Sequence, residues 1–146
     1  MEELQNLTGE EIRERLNRHG LKATPQRVLV YEAMCRLGHA SADSVYRHLG
    51  GPGSPLTIAT VYNVLESMTE AGLLALRPSF KGKMFFDVNT DSHFHIYRKD
   101  TGTVSDFRDE KLLEAVGEGI RGNLPEGLVL DGVEIQIICH EPNNES

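Results

Sequence analysis

Apolar residues recur at intervals of three and four through the first half of the chain, which is the spacing of a helix with one buried face. Four such segments occur before residue 72, and each begins just after a residue that caps helices well. These capping residues are Thr8, Thr24, Ser41 and Thr57. The pattern therefore predicts four helices in the first half.

The fourth predicted helix has two different faces. Its inward stripe consists of Ile58, Val61, Leu65 and Met68. Its outward residues are Ala59, Tyr62, Asn63 and Glu66. A face of small and polar residues with one tyrosine suits insertion into the major groove of DNA. Strand-like runs over residues 73–77 and 83–88 follow this helix, so the first half reads as a winged helix-turn-helix. The alternative is a small helical core whose hairpin has no special role.

Beyond residue 90 the apolar spacing changes to two, which is the spacing of strands. Residues 93–98 and 103–107 read as two strands, Asp109 caps a helix that ends near Gly122, and residues 128–140 alternate again. We therefore predict an α+β protein. An N-terminal winged helix-turn-helix domain spans residues 1–86, and a small α/β dimerisation domain with a three-stranded antiparallel sheet spans residues 87–146. A sheet of this size is marginal alone, so dimerisation is expected to cover its apolar surface.

The net charge of −7 is unevenly distributed along the chain. Residues 1–84 carry ten Lys and Arg against nine Asp and Glu, whereas residues 85–146 carry five against thirteen. Phosphate contacts need local cations only, so DNA binding by the first half stays open, while the acidic second half suits a cation. There is no apolar run of ~20 residues, so no membrane span is expected. With only two cysteines, a cytoplasmic location is the simplest interpretation.

The best candidate for metal chemistry is the pair His93 and His95, which would share one face of a strand. Asp87 lies six residues before the pair, and Asp106 lies eleven residues after it. Imidazoles and carboxylates together suit divalent iron, manganese or zinc. An exposed strand with solvated histidines is the simpler alternative. Two histidines and a carboxylate also form the iron site of some oxygenases, but ~60 residues are too few for the barrel that such an enzyme needs. We therefore expect no enzyme activity and no small-molecule substrate.

Three segments carry a resemblance to a known family: LKATPQR at residues 21–27, ATVYNVL at 59–65, and HFH at 93–95. In order and spacing they resemble the ferric-uptake-regulator (Fur) family of metal-dependent repressors, over about residues 10–140. The resemblance implies a homodimer that binds a palindromic operator in double-stranded DNA. It also implies a regulatory metal held between the two domains. Its ligands would be His39, Asp87, His93, His95 and Asp106.

Two features resemble the peroxide-response branch of that family: aspartate at position 106 and Asn63 after Tyr62. In that branch bound Fe²⁺ reacts with hydrogen peroxide, a ligand histidine is oxidised, and the DNA is released. By similarity His39 and His93 would be the oxidised residues. The alternative is a regulator of iron, manganese or zinc uptake that does not sense peroxide. Either function implies one divalent regulatory metal per protomer, Fe²⁺ or Mn²⁺, with Zn²⁺ possible in vitro.

The chain departs from the family at the structural zinc site, which two C-x-x-C pairs supply in most members. The corresponding positions here hold Arg98, Thr101, Cys139 and Pro142. A single cysteine cannot form a closed tetrahedral site, so we expect no structural zinc.

The expected DNA contacts lie in the first half of the chain. Bases would be contacted by Tyr62, Thr60, Asn63 and Ala59, with Tyr62 packing against a thymine methyl group. Phosphates would be contacted by Arg18, Lys22 and Arg27.

Overall fold

The structure is a computed structural model, and it describes residues 2–78, 83–91, 94–130 and 132–143. The helices, in chain order, are α1 (Glu2–Gln5), α2 (Gly9–Arg18), α3 (Pro25–Leu37), α4 (Ala42–His48), α5 (Ile58–Glu70) and α6 (Glu110–Asn123). The strands are β1 (His39–Ala40), β2 (Ala75–Pro78), β3 (Met84–Asp87), β4 (Phe94–Arg98), β5 (Thr103–Phe107) and β6 (Ile135–Cys139). Within these described ranges no helix is long and apolar enough to cross a membrane.

The described residues form two compact units. The first unit comprises residues 2–78 and 83–90, and the second comprises residue 91 and the described residues from 94 onwards. The sequence placed the domain boundary after residue 86, four residues before the end of the first unit. The first unit continues further because β3 runs to Asp87, and the N–H group of Val88 donates a hydrogen bond of 3.0 Å to the carbonyl of Gly38.

The four helices predicted for the first half begin where the capping residues require. The hydroxyl oxygens of Thr8, Thr24, Ser41 and Thr57 each accept a hydrogen bond from the N–H group three residues further on, at 3.1–3.3 Å. Each bond satisfies a donor that has no partner within its own helix. Asp109 caps α6 in the same way, through a bond of 3.0 Å from the N–H group of Leu112.

The hydrophobic core of the first unit is built mainly by α2, α3 and α5. Its largest fully buried apolar side chains are Ile12, Leu16, Val30, Tyr31, Met34, Val45, Val61, Leu65 and Met68. The inward stripe of α5 is confirmed at Val61, Leu65 and Met68, while Ile58 is only half-buried and Val64 is buried in addition. The core thus fixes which face of α5 is turned away from solvent.

A three-stranded sheet in the order β1-β3-β2 completes the first unit, and both of its pairings are antiparallel. β2 and β3 form the predicted hairpin. The loop was expected at residues 78–82; Pro78 instead ends β2, and residues 79–82 lie outside the described part of the chain. Helices followed by this sheet make a winged helix-turn-helix, as predicted. The two-residue strand β1 was not predicted, because two residues are too few to show a period.

The sheet of the second unit has the order β5-β4-β6. β4 and β5 are antiparallel, as predicted, but β4 and β6 are parallel. The expectation of a wholly antiparallel sheet was therefore wrong for the last strand. The reason is the connection: the long segment 108–134, which contains α6, takes the chain from β5 to the other edge of β4. There β6 runs opposite to β5, and therefore parallel to β4. The α+β fold class is unchanged.

Little of the second unit is buried within a single chain. Among its described residues, only Phe94, His95 and Tyr97 are buried. The apolar side of α6 remains at least partly exposed along its length, and Val129 is 85% exposed. This unit cannot form a core comparable with that of the first unit from one chain alone.

An ion-pair cluster connects the end of β4 with the segment that follows β6. Arg98 Nη2 donates to Asp100 Oδ2 at 2.7 Å, and Arg98 Nε donates to Asp100 Oδ1 at 3.3 Å. Arg98 Nη2 also lies 3.4 Å from Glu141 Oε1. The N–H group of Lys99 donates to the carbonyl of Cys139 at 2.9 Å. The ion pairs and this backbone hydrogen bond therefore join the chain segments around positions 98 and 139. Both positions correspond to zinc-binding cysteines in the family of the resemblance.

The cluster predicts a pH-dependent contribution to stability. The hydrogen bond from Arg98 lowers the pKa of Asp100 to about 2. A carboxyl group with a lowered folded-state pKa stabilises the fold above its unfolded pKa of about 4, and this stabilisation is lost as the pH falls towards 2. Asp100→Asn should therefore lower the midpoint of urea unfolding at pH 6, and the difference from wild type should shrink at pH 3.

Glu118→Gln on the exposed side of α6 is the matched control, and it should leave the midpoint unchanged at both pH values. A deficit for Asp100→Asn that is equally large at pH 3 and pH 6 would contradict the role given to the Arg98–Asp100 pair.

Candidate metal ligands and nucleic-acid interface

Two of the expected metal ligands face each other in the sheet of the first unit. His39 on β1 is directly opposite Asp87 on β3. Residues paired in this way project to the same side of the sheet, with Cβ atoms about 5 Å apart. The imidazole of His39 also packs edge-on against Phe85, with ring centroids 5.8 Å apart and an angle of 70° between the rings. We call His39 and Asp87 the first-unit pair.

The carboxylate of Asp87 is completely buried, and each of its oxygens accepts a hydrogen bond. Arg77 Nε donates to Oδ2 at 2.9 Å, and the N–H group of Asn89 donates to Oδ1 at 2.9 Å. Arg77 Nη2 also donates to the carbonyl of Asn89 at 2.8 Å, which closes a ring of three hydrogen bonds.

Arg77 is the important residue at this site that sequence reasoning missed. It is only 2% exposed, although arginine is rarely buried without a partner. A weak signal was present in the sequence, because Arg77 interrupts an otherwise apolar strand whose hairpin partner contains Asp87. The register that places the two on one side of the sheet, with Ala75 opposite Asp87, became visible only in the structure.

A second pair of expected ligands lies in the sheet of the second unit. His95 on β4 is opposite Asp106 on β5, and His95 Nε2 lies 3.5 Å from Asp106 Oδ1. His95 is 3% exposed, and Asp106 is half-buried. Two atoms bound to one metal at right angles lie about 3 Å apart, so this spacing is close to that of neighbouring ligands. We call His95 and Asp106 the second-unit pair. The fifth expected ligand, His93, lies outside the described residues.

The donors in these pairs fit a divalent transition metal. Each pair offers one imidazole nitrogen and one carboxylate oxygen, a combination that suits Fe²⁺, Mn²⁺ and Zn²⁺. Such metals take four to six ligands in proteins. Two protein donors therefore do not complete a coordination sphere, and neither pair alone makes a full site.

The outward face of α5 is exposed, as the sequence predicted. Ala59, Tyr62, Asn63 and Glu66 all reach solvent, and Tyr62 is 43% exposed despite its size. Thr60 is half-buried, and its N–H group and hydroxyl both contact Thr57 Oγ1, at 3.1 and 2.9 Å. The helix thus presents a rigidly anchored row of short polar side chains and one aromatic ring.

Surface pockets flank α5 on both sides. A pocket of about 410 Å³ is lined by Thr24, Gln26, Arg27, Thr60, Asn63, Val64 and Ser67. It brings together three of the expected DNA contacts, Arg27, Thr60 and Asn63. A cleft of about 820 Å³ on the other side contains Tyr62, with Arg47 and Lys83 also in its lining. The sequence did not indicate that these linings would also include Gln26, Ser67 and Arg47, because only the packing between helices brings them there.

The expected phosphate contacts are in different settings. Arg18 is exposed and lies 3.6 Å from Glu14, an exposed pairing that holds the side chain only weakly. Lys22 is exposed, and its carbonyl accepts a hydrogen bond of 2.9 Å from Arg27 Nη1. This bond directs the Arg27 guanidinium back along the chain that leads into α3.

The cysteine of the first unit has no exposed thiol. Cys35 is 2% exposed on α3, and burial raises the pKa of its thiol to about 11. The thiolate is the reactive form, so Cys35 is a poor target for oxidants near neutral pH.

Known proteins that resemble this chain in sequence and in structure point to the same family. The Ferric uptake regulator family matches residues 18–123. The ferric uptake regulation protein of Bordetella parapertussis is 36% identical over 100 residues, covering 66% of this chain and 72% of that protein. The peroxide operon regulator of Bacillus subtilis is 33% identical over 95 residues, covering 64% of this chain and 66% of that protein. Among solved structures, the ferric uptake regulator from Pseudomonas aeruginosa with manganese matches with a TM-score of 0.72 and 27% identity, over 90% of this chain and 98% of that one.

Proposed function

This chain belongs to the ferric uptake regulator family of metal-dependent transcriptional regulators, and we propose that it represses its target genes as a homodimer with one Fe²⁺ or Mn²⁺ per protomer. Like its relatives it is a regulator and not an enzyme. The observation that carries the proposal is the placement of an imidazole–carboxylate pair in each unit, at the positions that the family resemblance indicates. The cytoplasm is the proposed location.

The proposed metal ligands are His39, Asp87, His93, His95 and Asp106. Support comes from the chemistry of the two described pairs, since each is an incomplete set of nitrogen and oxygen donors. A single divalent cation would be coordinated by all five ligands, so that donors from both units complete one coordination sphere. Because the metal would stabilise only arrangements in which both pairs reach it, its binding energy would favour one arrangement of the units.

The proposed DNA contacts are those of α5 and the segment before α3. Tyr62, Thr60, Asn63 and Ala59 would meet base edges, and their exposure on an anchored helix supports this role. Arg18, Lys22 and Arg27 would contact phosphates. In a homodimer two copies of α5 are related by two-fold symmetry, so the operator should be palindromic.

The second unit is the proposed dimerisation domain. Its apolar residues that remain exposed in a single chain include Leu112, Leu128, Val129 and Ile138. A second copy of the chain would cover them and supply the core that one copy lacks. We propose no structural zinc in this domain, because the Arg98–Asp100–Glu141 cluster occupies the corresponding region and only one cysteine is present there.

Peroxide is the proposed signal. Asp106 and Asn63 support the peroxide-response branch, and the buried Cys35 makes a thiol-based sensor in the first unit a poor alternative. With iron supplying the redox chemistry, hydrogen peroxide would oxidise His39 or His93. One oxygen atom would be added to the imidazole, and the other would leave as water.

The second candidate is a regulator of metal uptake without peroxide sensing, which the 36% identity to the Bordetella parapertussis protein favours.

Two substitutions should separate metal binding from DNA binding. The probe is a palindromic duplex selected in vitro with the Mn²⁺-loaded protein, and affinity is measured anaerobically by fluorescence anisotropy during a Mn²⁺ titration. Tyr62→Ala should keep metal binding but lower DNA affinity about tenfold, since it removes a base contact. His95→Ala should lose both metal and the metal-dependent part of DNA binding.

Glu118→Gln, which changes neither a proposed metal ligand nor a proposed DNA contact, serves as the control and should behave like wild type. If His95→Ala binds the duplex normally in the presence of a chelator, metal control of DNA binding is wrong for this chain.

The peroxide proposal predicts a covalent change that depends on the metal. The dimer is loaded with Fe²⁺ under argon, exposed to a short pulse of hydrogen peroxide, and examined by peptide mass spectrometry. We expect one added oxygen atom on His39 or His93 and release of the duplex, and neither change when Mn²⁺ replaces Fe²⁺. Unmodified histidines with intact DNA binding after the Fe²⁺ experiment would favour the metal-uptake regulator instead.

A further inference from the structure

We propose that Arg77 sets the metal affinity of the regulatory site, because its guanidinium shares the carboxylate of Asp87 with the incoming cation. The proposal rests on the function given above, in which Asp87 is a metal ligand. It assigns to Arg77 two linked roles. Without metal it neutralises a buried carboxylate, and with metal it repels the cation and weakens binding.

The first role follows from burial. Asp87 is 0% exposed and Arg77 is 2% exposed, so solvent contributes little to stabilising either charge. Arg77 Nε lies 2.9 Å from Asp87 Oδ2. Removal of the positive partner of a buried carboxylate is strongly destabilising. Arg77 therefore compensates the charge of Asp87 and holds its carboxylate in place before any metal binds.

The second role follows from the distance between the two cations. A metal bound to Asp87 would lie about 2.1 Å from a carboxylate oxygen, which puts it within about 6 Å of the guanidinium. The guanidinium cannot lose its proton to relieve the repulsion. Because the pair is buried, water screens this repulsion weakly. The metal therefore binds less tightly than it would to an Asp87 without this neighbour.

The other hydrogen bonds decide the direction of the effect. If Arg77 were needed only to orient Asp87, its removal would weaken metal binding. However, the N–H group of Asn89 also holds Asp87 Oδ1 at 2.9 Å, and β3 pairs with strands on both sides. Asp87 would keep this support without Arg77. Removal of the charge should therefore tighten metal binding.

The expected effect on affinity is large enough to measure. At about 6 Å and an effective dielectric constant of about 20, the repulsion between a divalent cation and the guanidinium exceeds the free energy of a tenfold change in affinity. Tenfold tighter binding is therefore the smallest effect expected when the guanidinium is removed. Arg77→Lys keeps the charge but loses the paired donors, so its affinity should stay close to that of wild type. A weak-affinity site of this kind would respond to higher concentrations of the metal than the same ligands would without Arg77.

The experiment compares full-length Arg77→Met with wild type. Mn²⁺ affinity is measured from the electron paramagnetic resonance signal of the free ion, and the melting temperature is measured with EDTA and with saturating Mn²⁺. Arg77→Met should bind Mn²⁺ about tenfold more tightly, melt at a lower temperature in EDTA, and gain more from Mn²⁺ than wild type does. Arg13→Met, on the exposed side of α2, controls for loss of a positive charge elsewhere and should match wild type.

A second comparison applies if Arg77→Met does not fold without metal. Asp87→Asn removes the buried negative charge and leaves Arg77 in place, whereas Arg77→Met with Asp87→Asn removes both charges. The double variant should bind Mn²⁺ more tightly than Asp87→Asn alone, because the repulsion is gone.

The outcomes distinguish this inference from the proposed function. Affinity that is unchanged or weaker in Arg77→Met, or in the double variant relative to Asp87→Asn, would overturn the role of Arg77 alone. Wild-type protein that binds no Mn²⁺, or that binds it equally well as His95→Ala, would overturn the proposed regulatory site and this inference with it.

Discussion

The negative charge of a buried carboxylate has to be compensated, and in the first unit Arg77 does this for Asp87. The central position of β3 between β1 and β2 brings His39 opposite Asp87 and places Arg77 against its carboxylate. The same strand contributes Phe86 to the hydrophobic core, so the core fixes the register that places the polar residues. The winged-helix unit and the first-unit pair are therefore two results of one strand arrangement.

The second unit is held together on a different principle. Among the described residues of this unit, few apolar side chains are buried within a single chain. The ends of β4 and β6 are joined by an ion-pair cluster around Arg98. Exposed ion pairs stabilise proteins only modestly, so the cluster does not replace the core that is missing. In the proposed function the remaining stability comes from association with a second copy, in agreement with a family of dimeric regulators.

The sequence predicted the features that depend on local rules. Helix starts follow from the hydrogen-bonding needs of the first turn, so Thr57 and the start of α5 could be found without any structure. The exposed face of α5 followed from its period, and so did the choice of Tyr62 as the outward aromatic. The family motifs supplied the histidine and aspartate positions, which no local rule could have linked.

The features that the sequence missed depend on contacts between distant segments. The pairing of His39 with Asp87 needs a two-residue strand that has no period of its own. The burial of Arg77 follows from the register of a hairpin, and a one-residue shift would have turned it to the other side. The parallel pairing of β6 with β4 depends on where the whole connection 108–134 delivers the chain, which no pattern within β6 reveals.

The central claim is that the first-unit and second-unit pairs hold one and the same metal, and a Co²⁺ titration followed by visible absorption tests it most directly. Co²⁺ substitutes for Fe²⁺, and its visible absorption spectrum differs between nitrogen or oxygen ligands and thiolate ligands. We expect one Co²⁺ per chain without thiolate bands, and loss of that single ion in both His39→Ala and His95→Ala. Two ions per chain, with each substitution removing only one, would contradict it.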